Sequence, residues 1–129
     1  MKINEVSSKY QLSLSTLRYY EKIGLLDPVA RISGIRDYRE PDLDRIEFIL
    51  CMKESGMSLE TIKEYFDLYK AGDDTLEERL ALLEAQEQRT KAKLDRIQAS
   101  LDYLQYKMGL TKGNIEKRES KTLNPSTAG

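Results

Sequence analysis

Ile3, Val6 and Tyr10 recur at helical spacing and predict a short helix with one apolar face, which Gln11-Leu12 interrupts before Ser13. Ser13 is a natural N-cap, and Leu12 with Leu17 take the N′ and N4 positions of a hydrophobic staple. A second helix therefore starts there, and Gly24 stops it. Two short helices joined by a tight turn are a helix-turn-helix candidate. From Asp27-Pro28 to Arg39 the helical period vanishes. Between Arg31 and Tyr38, Ser33-Gly34 separates two short segments that each carry an isoleucine, which predicts a small hairpin. Pro41 opens a third helix through Leu43, Ile46, Phe48, Ile49, Leu50 and Met52, closed by Gly56. Ser58 caps a fourth, where Met57 and Ile62 repeat the staple and Tyr65, Phe66 and Tyr69 carry the apolar face towards Gly72.

Asp74 with Glu77 fits a capping box, and the pattern then changes. Leu76, Leu80, Leu83, Glu87, Thr90, Leu94, Ile97, Leu101, Leu104 and Met108 fall on alternating steps of four and three, a heptad seam. One helix over residues 75–108 is about 50 Å long at ~1.5 Å per residue, too long to bury its stripe on the small domain before it. The seam calls for a partner helix, and in an antiparallel pair the polar Glu87 and Thr90 at its centre help set register at some cost in stability. From Thr111 the chain is polar and aperiodic. The expected organisation is a domain over 1–72, a dimerisation helix over 73–110 and a disordered tail over 111–129.

Composition narrows the chemistry. Of 129 residues 33 % are charged, and the chain has no His and a single Cys, Cys51. An intrachain disulfide, a Cys/His zinc site, a four-Cys cluster and a histidine general base are excluded, and with them most enzymes and any expected cofactor or metal. No apolar run approaches the roughly 20 residues of a membrane span and the first residues lack a signal-peptide core, so a cytoplasmic location is expected. The net charge of −1 conceals a segregation. Residues 1–39 hold seven basic against four acidic residues (+3), residues 40–87 five against fourteen (−9), and residues 88–129 nine against four (+5). A local basic face is what phosphates sense at a Debye length of about 8 Å.

Within the second helix, Leu14 to Glu21 combine small hydroxyls, a guanidinium and phenols, the groups that donate to phosphate oxygens and contact base edges. Thr16-Leu17-Arg18-Tyr19-Tyr20-Glu21-Lys22-Ile23-Gly24-Leu25-Leu26, followed by Pro28, Arg31, Gly34, Arg36 and Tyr38, resembles the signature of the MerR family of bacterial transcription regulators. The resemblance runs over about residues 1–108. It implies an all-α fold with a small β wing: a winged helix-turn-helix domain followed by a long helix that pairs antiparallel in a homodimer. It further implies binding to pseudo-palindromic operators in double-stranded promoter DNA, distortion of that DNA, and RNA polymerase as the partner at the promoter. By position Ser15, Thr16, Arg18 and Tyr19 match recognition-helix residues that touch DNA, and Arg36 and Tyr38 match wing residues that hold its backbone. Gln11 stands where the family often has Gly, at a cost of up to about 1–2 kcal/mol if the turn needs a positive φ. Ile35 replaces an aromatic common before the wing Arg.

The paired cysteines of metal-sensing members, the cluster of the redox member and the ligand domain of multidrug sensors have no counterpart here. The segments Gly34-Ile35-Arg36-Asp37-Tyr38, Glu47-Phe48-Ile49, Cys51-Met52 and Ser55-Gly56 resemble the short aldehyde- and electrophile-responsive branch. In that branch a lone Cys of the third helix is the proposed sensor, and Cys51 falls on it, with a small electrophile as effector. The residues themselves argue less for this. On a helical wheel Cys51 lies at the edge of the Leu43, Ile46, Ile49, Leu50 stripe, its neighbours Glu47 and Glu54 disfavour a thiolate, and a lone Cys is by default a small buried hydrophobe. Three alternatives stay open: a constitutive regulator in which Cys51 is structural, a regulator with a small-molecule pocket lined by Tyr65, Tyr69 and Tyr103, and a coiled-coil interaction protein that does not bind DNA.

Overall fold

The computed structural model describes residues 1–123. Its elements follow the order α1 (Ile3–Tyr10), α2 (Leu14–Lys22), β1 (Arg31–Ile32), β2 (Ile35–Arg36), α3 (Glu40–Glu54), α4 (Leu59–Ala71), a single 3-10 turn (Asp73–Thr75) and α5 (Leu76–Leu123). By internal contacts the chain divides into two compact units, Met1–Glu87 and the remainder from Gln88.

In the first unit the caps fall where the sequence places them. Ser13 Oγ accepts the Thr16 N–H at 3.1 Å and Ser58 Oγ accepts the Thr61 N–H at 3.1 Å, each satisfying an N–H that the first helical turn leaves without a partner. At α3 the cap is the reverse half of a box: the Asp42 carboxylate accepts the Arg39 N–H at 2.9 Å. β1 and β2 pair antiparallel with Arg31 opposite Arg36 and Ile32 opposite Ile35. Ser33 and Gly34 turn between them with φ of 51° and 79°, the positive pair that a two-residue hairpin matched to strand twist requires. The Asp37 N–H to Ala30 carbonyl bond, 2.7 Å, extends the ladder, and the Tyr38 N–H to Met1 carbonyl bond, 2.7 Å, ties the hairpin to the start of the chain.

The core draws on all of α1 to α4 and on the segments between them: Val6 of α1, Leu17 and Tyr20 of α2, Leu25, Leu26 and Val29 of the following loop, Tyr38 after the hairpin, Ile46 and Ile49 of α3, Met57 before α4, and Ile62 and Phe66 of α4. The first turns of α5 join by polar contacts. Arg79 is buried, donating to Thr75 Oγ1 at 3.1 Å with its guanidinium over the Tyr69 ring, and Gln86 donates to the Ser55 carbonyl at 2.8 Å.

Two expectations are corrected. Asp74 and Glu77 do not form the cap of the long helix, which starts one residue later than that box requires. Buried Thr75 closes the junction instead, its hydroxyl within 2.6 Å of the Leu68 carbonyl and 2.8 Å of the Gly72 carbonyl. The residues expected to begin a disordered tail at 111 are helical as far as Leu123, and the rest of that segment lies outside the described residues. In the second unit every residue from Lys91 to Lys112 is exposed, the seam residues Leu94, Ile97, Leu101, Leu104 and Met108 among them.

Candidate nucleic-acid interface and sensor residue

At ~100° per residue, α2 turns Leu17 and Tyr20 into the core and leaves Ser15, Arg18, Tyr19 and Lys22 on the opposite face. Tyr19 is 50 % exposed while its neighbour Tyr20 is 1 % exposed, so adjacent phenols have opposite roles. The Tyr20 hydroxyl accepts from Lys53 Nζ of α3 at 3.1 Å, which pins the recognition-helix candidate to the scaffold. Arg18 and Lys22 have no ion-pair partner among the described residues, leaving two cations on one short helical face. Thr16 sits apart from that face. It is half-buried, with its N–H and its Oγ1, 2.7 Å from Ser13 Oγ, engaged by the cap.

The hairpin lies beside α2 through an ion pair. Arg36 Nε donates to Glu21 Oε1 at 3.0 Å, and both side chains are about four-fifths buried, with 21 % and 18 % exposure. Arg36 therefore binds the hairpin to α2 rather than standing free. The exposed residues of the hairpin are Arg31 through Ile35, and Arg31 Nη1 reaches the Gly34 carbonyl at 3.4 Å. Tyr38, expected to hold the DNA backbone, is 1 % exposed and packs in the core, so the structure does not bring it to this face. Its hydroxyl is buried with no hydrogen-bond partner among the described residues, and burial pushes the phenol above its ordinary pKa. Lys22 and Arg31 are the basic residues missing from the expected set. Their charge was visible in the sequence, but only burial separates a free cation from one already paired, as Arg36 is.

Cys51 lies on α3 and is exposed, not wedged at the rim of the apolar stripe. Its carbonyl accepts the Ser55 N–H at 3.0 Å, and the Ser55 carbonyl in turn accepts from Gln86 of α5 at 2.8 Å. The last turn of α3 is thereby tied to the root of the long helix. Among the described residues no group of acidic or Cys side chains could hold a metal ion, and no helix is long and apolar enough to cross a membrane.

A four-helix core with a hairpin wing packed on an exposed, cationic second helix defines a winged helix-turn-helix nucleic-acid-binding fold. The chain belongs to the MerR family: the MerR HTH family regulatory protein model matches residues 1–68 and the MerR, DNA binding model residues 43–106. It is a MerR-type DNA-binding regulator with the homodimeric architecture of that family, not an enzyme. Over 90 residues it is 48 % identical to the HTH-type transcriptional regulator AdhR of Bacillus subtilis, covering 69 % of this chain and 64 % of that one. A crystal structure of a MerR family transcriptional regulator from Listeria monocytogenes superposes with a TM-score of 0.85 at 32 % identity, covering 99 % of this chain and 98 % of the other. HiNmlR, a MerR family regulator lacking the sensor domain and solved bound to promoter DNA, superposes with a TM-score of 0.76 at 38 % identity, covering 84 % and 86 %.

Proposed function

We propose that the protein binds a pseudo-palindromic promoter operator as a homodimer, distorts the DNA between its half-sites for RNA polymerase, and changes that distortion when an aldehyde or other thiol-reactive compound modifies Cys51. The observation that carries the DNA-binding part is the outward face of α2, with Ser15, Arg18, Tyr19 and Lys22 exposed beside a hairpin whose tip carries Arg31. Arg18 and Lys22 supply phosphate or base-edge donors, and Arg31 takes the backbone contact first assigned to Arg36 and Tyr38. Arg36 and Tyr38 act as positioning residues that set the angle of the wing. Support for promoter DNA as the ligand comes from the likeness to HiNmlR, solved on such DNA.

The sensor part rests on exposure and on connection. Cys51 is accessible to a small electrophile, and an adduct there sits one turn before the Ser55 to Gln86 hydrogen bond that links α3 to α5. Because the thiol is exposed, an adduct adds no bulk to the protomer's own core. It acts instead on this link and on whatever the partner protomer brings against α3. The test is a footprint on the DNA upstream of the protein's own gene, with transcription assayed with and without aldehydes for the wild type and for Cys51→Ser. Cys51→Ser is expected to hold operator affinity within a few-fold, about 1 kcal/mol or less, and to lose the response. A Cys51→Ser protein that responds fully removes the sensor role, and absence of any footprint removes the operator.

A further inference from the structure

α3, α4 and Asp27 of the loop after α2 border a half-open cavity of about 420 Å³ that the DNA-binding face does not use, within the size range of small-molecule sites. Its apolar wall is aromatic. Phe48 and Tyr65 stack with ring centroids 4.9 Å apart and 23° between planes, and Phe66 lies 5.2 Å from Phe48. Tyr69 stands at the mouth, 63 % exposed. Tyr103, grouped with Tyr65 and Tyr69 on sequence grounds, is not among the lining residues.

One polar residue in this wall is incompletely satisfied. The Arg45 guanidinium stacks over the Phe66 ring at 4.0 Å and its Nη1 pairs with Asp27 at 2.9 Å, but its Nε and Nη2 are buried with no acceptor among the described residues. Buried donors without partners are rare enough to require an explanation, and a ligand acceptor that displaces the side chains now covering them is one. The charges around the cavity limit what that ligand is. Asp27 also pairs with Lys70, so two cations share one carboxylate at the half-exposed rim, while Asp42 and Asp44 line the cavity at the start of α3. Arg45 and Lys70 repel a cation, the three carboxylates repel an anion, and the unfilled N–H groups ask for an oxygen.

We propose that the cavity between α3 and α4 binds an uncharged, planar aromatic carbonyl compound, its ring against Phe48 and Tyr65 and its carbonyl oxygen accepting from Arg45. It is a reversible effector site separate from Cys51 and independent of that residue's reactivity. Asp27, the partner of Arg45, lies in the loop between α2 and β1, so occupancy bears on the segment that joins the recognition helix to the wing.

The test uses the full-length Cys51→Ser protein, in which no thiol can react, and calorimetric titration with 2-acetylnaphthalene. 2-Ethylnaphthalene is the control of the same shape without an acceptor, and 2-naphthoate and a naphthyl trimethylammonium ion are the charged controls. Saturable binding of one ketone per chain is expected, with the hydrocarbon and both ions weaker by roughly ten-fold or more, since a buried donor discriminates against a ligand that leaves it unpaired. Tyr69→Phe, which keeps the ring under Arg79, is expected to bind the ketone within a few-fold of the parent, and Tyr69→Ala to weaken it several-fold beyond any loss of thermal stability from the Arg79 contact. Arg45→Gln is expected to erase the preference for ketone over hydrocarbon. If Arg45→Gln does not fold, the comparison of ligands on the Cys51→Ser protein decides alone. No saturable binding, as when a second copy of the chain covers the cavity, overturns the proposal. So does equal affinity for ketone and hydrocarbon, or tighter binding of either ion.

Discussion

Gln11 ends α1 with φ 54° and ψ 43°, a left-handed conformation that costs a residue with a Cβ about 1 kcal/mol. The turn geometry demands it, because the Gln11 N–H caps back to the Ser7 carbonyl while Leu12 must reach the staple position. Gln11→Gly is therefore expected to raise stability by about 0.5–1 kcal/mol in urea unfolding, the relief of strain outweighing the entropy of a freer unfolded chain. A loss of stability would show that the glutamine side chain contributes more than its backbone costs. Asp27 makes a prediction in pH. Its hydrogen bond with Lys70, helped by the charge of Arg45, holds its carboxyl below the ordinary aspartate pKa. A carboxylate with a depressed folded-state pKa stabilises the fold above its unfolded value, and that contribution is lost as pH falls through the folded value. Asp27→Asn is expected to be less stable than wild type at neutral pH, by a small amount because Asp27 is half exposed. The difference should vanish below the carboxylate range in acid unfolding curves.

Helix α2 is read twice, by the core on one side and by solvent on the other, and its outward face is the element on which binding depends. Arg18→Ala is expected to weaken operator binding by about 1–3 kcal/mol, and to lower the salt slope by about one unit if Arg18 meets a phosphate, with thermal stability nearly unchanged. Unaltered affinity in a folded Arg18→Ala protein would remove that residue from the interface. The extent of each element was mostly legible. Caps at Ser13 and Ser58, the Ser33-Gly34 turn and the Pro41 start depend on a few neighbouring residues, and local chemistry decided them. The continuation of α5 past 110 was not legible, because the segment from Thr111 is polar and shows no clear apolar period, and it contains Gly113 just after Gly109. Each glycine costs about 1 kcal/mol relative to Ala, yet the Lys, Glu and Arg around them favour helix, and Ile115 extends the seam seven residues beyond Met108.

For the whole molecule, the exposed seam sets the assembly. Leu94, Ile97, Leu101, Leu104 and Met108 are each about half exposed in a single chain, a stripe that monomers rarely leave in water. Wild-type protein is expected to sediment as a dimer at micromolar concentration, and Leu94→Asp with Leu101→Asp is expected to split or unfold it. A stable wild-type monomer would contradict this. Operator binding of the double variant should fall with the dimer, since two half-sites need two wings held at fixed spacing.

Periodicity and capping were sufficient to establish the helical order, the hairpin and the seam, because each is a repeat or a local contact written into consecutive residues. They also confined the chemistry to one thiol and a scatter of charges. Which of those charges is free was decided only in three dimensions. Arg36 and Arg18 look alike along the chain, but Arg36 meets Glu21 across fifteen residues and is neutralised, while Arg18 has no ion-pair partner among the described residues. Tyr19 and Tyr20 are adjacent and identical, yet the packing of α2 on Lys53 buries one and leaves the other in water. Tyr38 went from the wing to the core for the same reason, and Cys51 from the edge of a stripe to the surface. The pairing of a charge and the burial of a ring depend on partners distant in sequence, and neither helical period nor composition specifies those partners.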